Sequence, residues 1–221
     1  MSEVLLATKD LCFSYPDSET LHFKDLEIRE GSVLCITGPM GSGKTTLAKI
    51  LSGLEKPSSG QILYRGEDIW KSRSVRRAFA GKVALLFQFS ADQLFEKTVL
   101  LDVMFGPLNM GLSKEEAEKV AVEALKSAQV EEKLWSMDPF MLSGGQKKLV
   151  SLAGVLAIKP EVLILDEVTS ALDPETEKKI LILLDSLRES EKKSVVLITH
   201  DRAIINRYGS DGGIYENGND K

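Results

Sequence analysis

Short apolar runs alternate along this chain with segments of helical period. Strand-like runs stand at 4–15 (VLLATKDLCFSY), 21–28 (LHFKDLEI) and 32–38 (SVLCITG). The third feeds a glycine loop and then KTTLAKILSGL, which reads as a helix ending near Gly53. Two more strands are expected at 60–66 (GQILYRG) and 82–88 (KVALLFQ). The pattern then changes. In 113–130 (SKEEAEKVAVEALKSAQV) apolar residues recur at helical spacing, with Ser113 as N-cap and acids in the first turn. A helix follows in 142–158, a buried strand in 161–167 (EVLILDE), a helix from Pro174, and a last clear strand in 193–200 (KSVVLITH). From Asp201 the chain is polar and glycine-rich. It carries at most a short final strand, and its end, NGNDK, reads as frayed.

This alternation predicts an α/β fold with a mainly parallel sheet. The expected layout is one domain over 1–217, with a core at about 1–89 and 158–217, a helical insertion at about 90–157, and a frayed tail at 218–221.

Residues 38–45 fit G-x-x-x-x-G-K-[ST] in full, after a strand and before a helix, as a phosphate loop requires. Gly38, Gly41 and Gly43 let backbone N–H groups surround a phosphate, in a loop completed by Pro39, Met40 and Ser42. Lys44 reaches the β- and γ-phosphates, the Thr45 hydroxyl can ligate Mg²⁺, and Thr46 follows in the helix. Asp166 and Glu167 end a buried strand. Alone they could equally cap a helix; with a phosphate loop upstream, Asp166 is expected on Mg²⁺ and Glu167 as general base for the attacking water. His200 ends the next strand, which is expected to neighbour the one carrying Asp166. Gln88, at another strand's carboxyl end, can reach Mg²⁺ or the water, although by itself this signal is weak. Tyr15 could stack on an adenine or belong to the core; His22 reads as structural.

A second anion-binding pattern lies about a hundred residues later. Ser143, Gly144, Gly145 and Gln146 open a helix, whose free N–H groups and dipole favour a phosphate. One nucleotide is hard to sandwich between two loops of one compact chain. The physical answer is a second subunit, with Ser143 of one chain completing the nucleotide site of the other. The alternative is an ordinary helix capped by Ser143.

Composition narrows the partners. The net charge is −5, without the strong basic excess that would point to nucleic acid. Cys12 and Cys35 match no metal spacing and read as free thiols in a reducing compartment. No apolar stretch approaches the ~18 residues of a membrane span, and the N-terminus lacks the pattern of a secretory leader. A membrane role would need a separate membrane partner.

The order GPMGSGKTT, Gln88, LSGGQ, VLILDE, SALD, His200 resembles the nucleotide-binding domain of ATP-binding-cassette (ABC) proteins, from Val4 to about Tyr215. The resemblance implies a P-loop NTPase fold with an N-terminal antiparallel part and a helical subdomain. It also implies ATP and Mg²⁺ as cofactors, Tyr15 on adenine, and His200 as the switch histidine. It further implies a dimer seam along Ser170, Ala171, Leu172 and Asp173. The stretch 85–113, with D-Q-L-F and F-G-P-L-N-M-G-L-S, is similar to energy-coupling-factor ATPases, which energise uptake of vitamins or of cobalt or nickel ions. In that group the region after Gln88 meets the membrane partner at the cytoplasmic face, which would leave Leu94, Phe95 and Phe105 exposed; the alternative, expected for several of them, is that they pack the helical insertion. Val168 departs from the usual proline. The related ATPases usually continue into a C-terminal extension. Its absence here leans the expectation toward a heterodimer with a second, longer cassette rather than a homodimer. The alternatives are a soluble cassette ATPase, for example in iron–sulfur assembly, or the ATPase of another ABC transporter type. A DNA-type cassette is disfavoured: Lys44 and Ser143 lie 99 positions apart with no heptad run between them.

Overall fold

The computed structural model describes residues 2–16, 18–88, 93–170, 172–189 and 193–217, and they divide into two compact units. The first comprises 1–85, 161–167 and 190–221; the second comprises 86–160 and 168–189.

The first unit holds an antiparallel sheet and a parallel one. In the antiparallel sheet β1 (Val4–Phe13) pairs with β2 (Leu21–His22), β3 (Glu27–Arg29) and β5 (Ser59–Tyr64), and β5 pairs with β6 (Glu67–Asp68). The second sheet runs β10 (Ile214–Glu216), β4 (Val33–Thr37), β9 (Ser194–Ile198), β8 (Val162–Asp166), β7 (Val83–Leu86). Its pairs β10–β4, β4–β9 and β9–β8 are parallel. Strands β8 and β9 are buried at every position. That is why their sequences, VLILD and SVVLI, are almost unbroken apolar runs: a parallel strand is covered on both faces. Helix α1 (Lys44–Leu51) buries Leu47, Ala48, Ile50 and Leu51 in a core that also takes Leu6, Ile28, Ile36, Ile62, Ile164 and Val196. Each such side chain contributes about 1.5–3 kcal/mol of apolar transfer, so the sheet that carries the site is held stiffly.

Three local features differ from the expectation. Residues 21–28 are not one strand. They form β2 and β3, with Phe23 and Leu26 buried between them. The cause is Asp10, whose φ of 51° kinks β1 and turns its N–H away from the ladder to the Asp25 carboxylate at 2.8 Å. Helix α2 (Arg73–Phe79) follows Ser72, whose hydroxyl caps Val75 N–H. The polar stretch after Asp201 also hides a helix, α7 (Arg202–Gly212). Asp201 caps Ala203 N–H at 2.7 Å, and Ile204 and Tyr208, one turn apart, are buried. Two periodic apolar residues among glycines are too few to show in a pattern reading.

The second unit packs α3 (Val99–Asn109), α4 (Lys114–Ser127), α5 (Gly144–Ala157) and α6 (Pro174–Glu189). Ser113 with Glu116, and Ser143 with Gln146, form capping boxes that start α4 and α5. Helix α3 approaches the end of α5 at Gly106, where a Cβ would stand 2.6 Å from Ile158 Cγ2.

Candidate nucleotide site

The register of β4 delivers the chain into residues 38–43 at the carboxyl edge of the parallel sheet, where ligands of open α/β sheets gather. Gly38, Gly41 and Gly43 have φ of 143°, 79° and 89°. Side chains rarely adopt such angles, so these glycines are what lets the loop turn back to start α1. Lys44, nearly buried, donates from Nζ to the carbonyls of Gly38 and Pro39 at 2.9 and 2.8 Å. Burial pushes its ammonium below the usual lysine range, while the charges of Glu167 and Asp166 push it back up. Ser42 Oγ is buried and has no hydrogen-bond partner among the described residues. A buried orphan hydroxyl beside a lysine, at a helix N-terminus, is a donor set that fits a phosphate.

Asp166, at the end of β8 and 3% exposed, accepts the Thr45 hydroxyl at 2.7 Å. A hydroxyl and a carboxylate this close offer two hard oxygen donors. They fit Mg²⁺, which takes few protein ligands and completes its shell with phosphate and water. Glu167 has φ of 50°, its N–H donates to Ile198 O at 2.9 Å, and its carboxylate Oε1 lies 3.4 Å from His200 Nε2. The pairing of β8 with β9 makes these neighbours, as the sequence leads one to expect. Tyr15 is 40% exposed, edge-on to Phe13 at 4.8 Å, with its hydroxyl 3.2 Å from Thr46 Oγ1. Its ring is therefore fixed yet open to solvent on one side.

The second unit holds the other predicted residues. Gln88 lies two residues beyond β7, is exposed, and is in a turn rather than in the strand. Its carbonyl accepts Lys148 Nζ at 2.7 Å. Ser143 Oγ accepts Gln146 N–H, and Gln146 Oε1 accepts Ser143 N–H, so the α5 N-terminus is shaped before any ligand arrives. At Gly144 a Cβ would meet nothing; at Gly145 it would stand 2.7 Å from Thr176 Oγ1 and 3.1 Å from Asp173 Oδ2. Asp173 in turn caps α6, accepting Thr176 N–H and Oγ1–H, bonds that hold its carboxyl below the usual range. Ser170 and Leu172 are half-buried, and Ala171 lies outside the described residues.

Two of the expected apolar residues after Gln88 are exposed: Phe95 and Phe105 meet edge to face at 4.8 Å. Leu94 is buried, the alternative outcome, while Phe95 N–H and Glu96 N–H are held by the Asp102 carboxylate. Among the described residues no helix is long and apolar enough to cross a membrane.

Sequence reading passed over two residues at this site. Lys148, which the sequence does not single out, is 6% exposed and grips the Gln88 backbone. Asn217 was read as part of a frayed end. It is 3% exposed, its N–H continues the ladder to Thr37 O at 2.8 Å, and its amide donates to Ser42 O at 2.7 Å. Neither contact leaves a local signal, since both depend on register set by distant strands.

A family model for ABC transporters matches residues 21–170, most of the chain, with the phosphate loop, Gln88, the Ser143 helix start, Asp166 and Glu167 inside the match. The chain belongs to the ABC transporter family. Among its ABC relatives is the energy-coupling factor transporter ATP-binding protein EcfA2 of Lactococcus lactis subsp. lactis. It is 44% identical over 186 residues, covering 83% of this chain and 64% of that protein. The chain thus spans less than two thirds of that relative's length. Of solved ABC structures, cbiO1 from Clostridium perfringens, part of the ABC transporter complex cbiONQ, superposes with TM-score 0.83 at 35% identity. That match covers 97% of this chain and 84% of the other. The ATP-binding cassette MJ0796, solved as a dimer in a post-hydrolysis state with ADP and Pi, superposes with TM-score 0.82 at 32% identity, covering 96% and 94%.

Proposed function

We propose that this chain is the ATP-hydrolysing motor of an energy-coupling-factor type importer that takes up a vitamin or a transition-metal ion through a membrane partner. The observation that carries the reading is the cluster at one sheet edge: a phosphate loop, the Thr45–Asp166 hydrogen bond and the Glu167–His200 contact. The importer type rests on the relatives, whose names are those of energy-coupling factor ATP-binding proteins.

The geometry and the family resemblance together support the following roles. Residues 38–46 hold the triphosphate, with Lys44 exchanging loop carbonyls for phosphate oxygens. Tyr15 stacks on adenine. Thr45 and Asp166 would hold Mg²⁺, which would offset the phosphate charge, and Gln88 is proposed as a further ligand. Glu167 takes a proton from the attacking water, and His200 orients the water and the phosphate being cleaved off; the reaction gives ADP and phosphate. Ser143, Gly144, Gly145 and Gln146 complete the site of a second cassette, with residues 170–173 along the seam. Closure of the two cassettes moves the surface carrying Phe95 and Phe105, which docks on the membrane subunit at the cytoplasmic face. The chain acts here as a single ATPase domain over 1–217, with its helical part inserted.

Purification of the tagged protein from its own membranes in mild detergent tests the reading. A multi-span protein and a second cassette should co-purify, and native mass tells whether that cassette is a different subunit or a copy. If the protein hydrolyses ATP yet brings down only soluble partners, the importer reading falls and the soluble-cassette alternative takes its place.

A further inference from the structure

We infer that Asn217 is a positioning residue for the phosphate loop, and that the strand β10 exists in part to hold it there. The inference rests on the reading of residues 38–46 as the nucleotide site. Four observations converge. Strand β10 pairs in parallel with β4 so that Ile214, Tyr215 and Glu216 match Cys35, Ile36 and Thr37. The next residue, Asn217, is therefore carried to the point where β4 becomes the loop. Its backbone N–H binds Thr37 O at 2.8 Å, which fixes it to the loop's entrance. Its side-chain Nδ2 donates to Ser42 O at 2.7 Å, which fixes it to the loop's exit, one residue before the turn of Gly43 into α1. Its own carbonyl stands where a Cβ on Gly38 would be, at 2.1 Å, so glycine at 38 is required by Asn217 as much as by its φ of 143°.

One buried residue thus spans the two ends of the loop, while the orphan Ser42 hydroxyl and Lys44 lie between or beside those ends. The Ser42 carbonyl and the Gly43 N–H belong to one planar peptide unit, so holding the carbonyl also fixes where that N–H points. A buried amide that holds a carbonyl is the means available for keeping it. Preorganised N–H groups bind an anion without an ordering cost. Loosening the clamp should therefore weaken nucleotide binding and leave the chemistry of Glu167 and His200 in place.

The test uses the full chain and compares wild type with Asn217→Asp, which keeps the shape but replaces the NH₂ donor, and Asn217→Ser, which removes the reach. Tyr215→Phe is the control. It deletes a bond of the same strand, from Tyr215 Oη to Lys24 O, remote from the loop. ATP affinity from a fluorescent-analogue displacement, KM and kcat for phosphate release, and Tm are measured for each. The expected result is ATP Kd and KM raised about three- to tenfold in both Asn217 variants, the worth of one hydrogen bond. Their kcat should stay within about twofold, and Tyr215→Phe should shift Tm without moving KM. If the Asn217 variants fold, shown by cooperative melting, and bind ATP as wild type does, the inference is overturned. It is overturned equally if Tyr215→Phe raises KM as much, since β10 would then act only as a support. If wild type itself does not bind ATP, the fault lies with the functional reading, and the two failures are told apart.

Discussion

His200 Nε2 and Glu167 Oε1 lie 3.4 Å apart across the carboxyl ends of two adjacent parallel strands. The contact depends on a strained backbone. Glu167 sits at φ 50°, in the left-handed region that costs a non-glycine residue of order 1 kcal/mol, and its N–H is tied to Ile198 O. The strain swings the carboxylate out of the β8 line toward His200. An isosteric change should keep that geometry. Glu167→Gln is therefore expected to bind ATP normally, to lose phosphate release by at least about a hundredfold, and to accumulate as an ATP-dependent dimer in gel filtration. Near-normal turnover would remove Glu167 from the base role.

Closure of two cassettes can be read from methionine chemistry. Met40, on the phosphate loop, is 97% exposed, and Met141, two residues before Ser143, is 75% exposed. In the Glu167→Gln variant, Mg-ATP should slow oxidation of both several-fold, measured by peptide mass spectrometry. Met110, 53% exposed beyond α3, should oxidise at the same rate with and without nucleotide. Equal oxidation of Met40 and Met141 in the two conditions would argue against head-to-tail closure.

Gly145 should be intolerant for a steric reason that can be relieved. Gly145→Ala places a methyl 2.7 Å from Thr176 Oγ1, so α5 or α6 must shift, at a cost of about 1–3 kcal/mol. ATPase activity should fall more than ATP affinity, because in the proposed two-cassette arrangement the displaced helix start serves the partner's nucleotide. Adding Thr176→Ala should recover part of the stability, seen as a rise in Tm over the single variant; no recovery would point to a different obstacle.

Acid sensitivity should trace to Glu161. Its burial alone would push the carboxyl up, but hydrogen bonds from Lys82, Tyr64 and Arg65 outweigh that and hold it down to about 2. In the unfolded chain the carboxyl titrates near 4.5. The stabilisation is thus complete above that pH and is lost as pH falls toward 2. Glu161→Gln should lower stability at pH 7 by about 1–2 kcal/mol after allowance for partial exposure, and the gap to wild type should narrow between about pH 4.5 and 2 in urea melts.

How much the sequence disclosed depended on how local each feature is. The phosphate loop, the strand ending in Asp166 and the Ser143 helix start are contiguous, and their residues carry their own geometry. His200 became legible once two strands were taken as neighbours. The burial of Leu94 and Asn217 is not legible in the sequence, because burial at a loop or chain end is decided by what packs over it. The split of 21–28 was hidden because its cause, Asp10, lies on the other strand. Helix α7 was missed because its burial rests on only two spaced residues, Ile204 and Tyr208.

The carbonyls that Lys44 binds within its own loop have a kinetic meaning. Its ammonium already has two carbonyls of its own loop, so an arriving phosphate competes with Gly38 and Pro39 instead of meeting a bare charge. Part of the attraction is spent on that exchange, which moderates affinity. On release the same carbonyls take the ammonium back, so the departing nucleotide leaves no buried cation stranded. The loop is its own placeholder, so binding and release of a phosphate at this site exchange hydrogen-bond partners instead of creating and burying a bare charge.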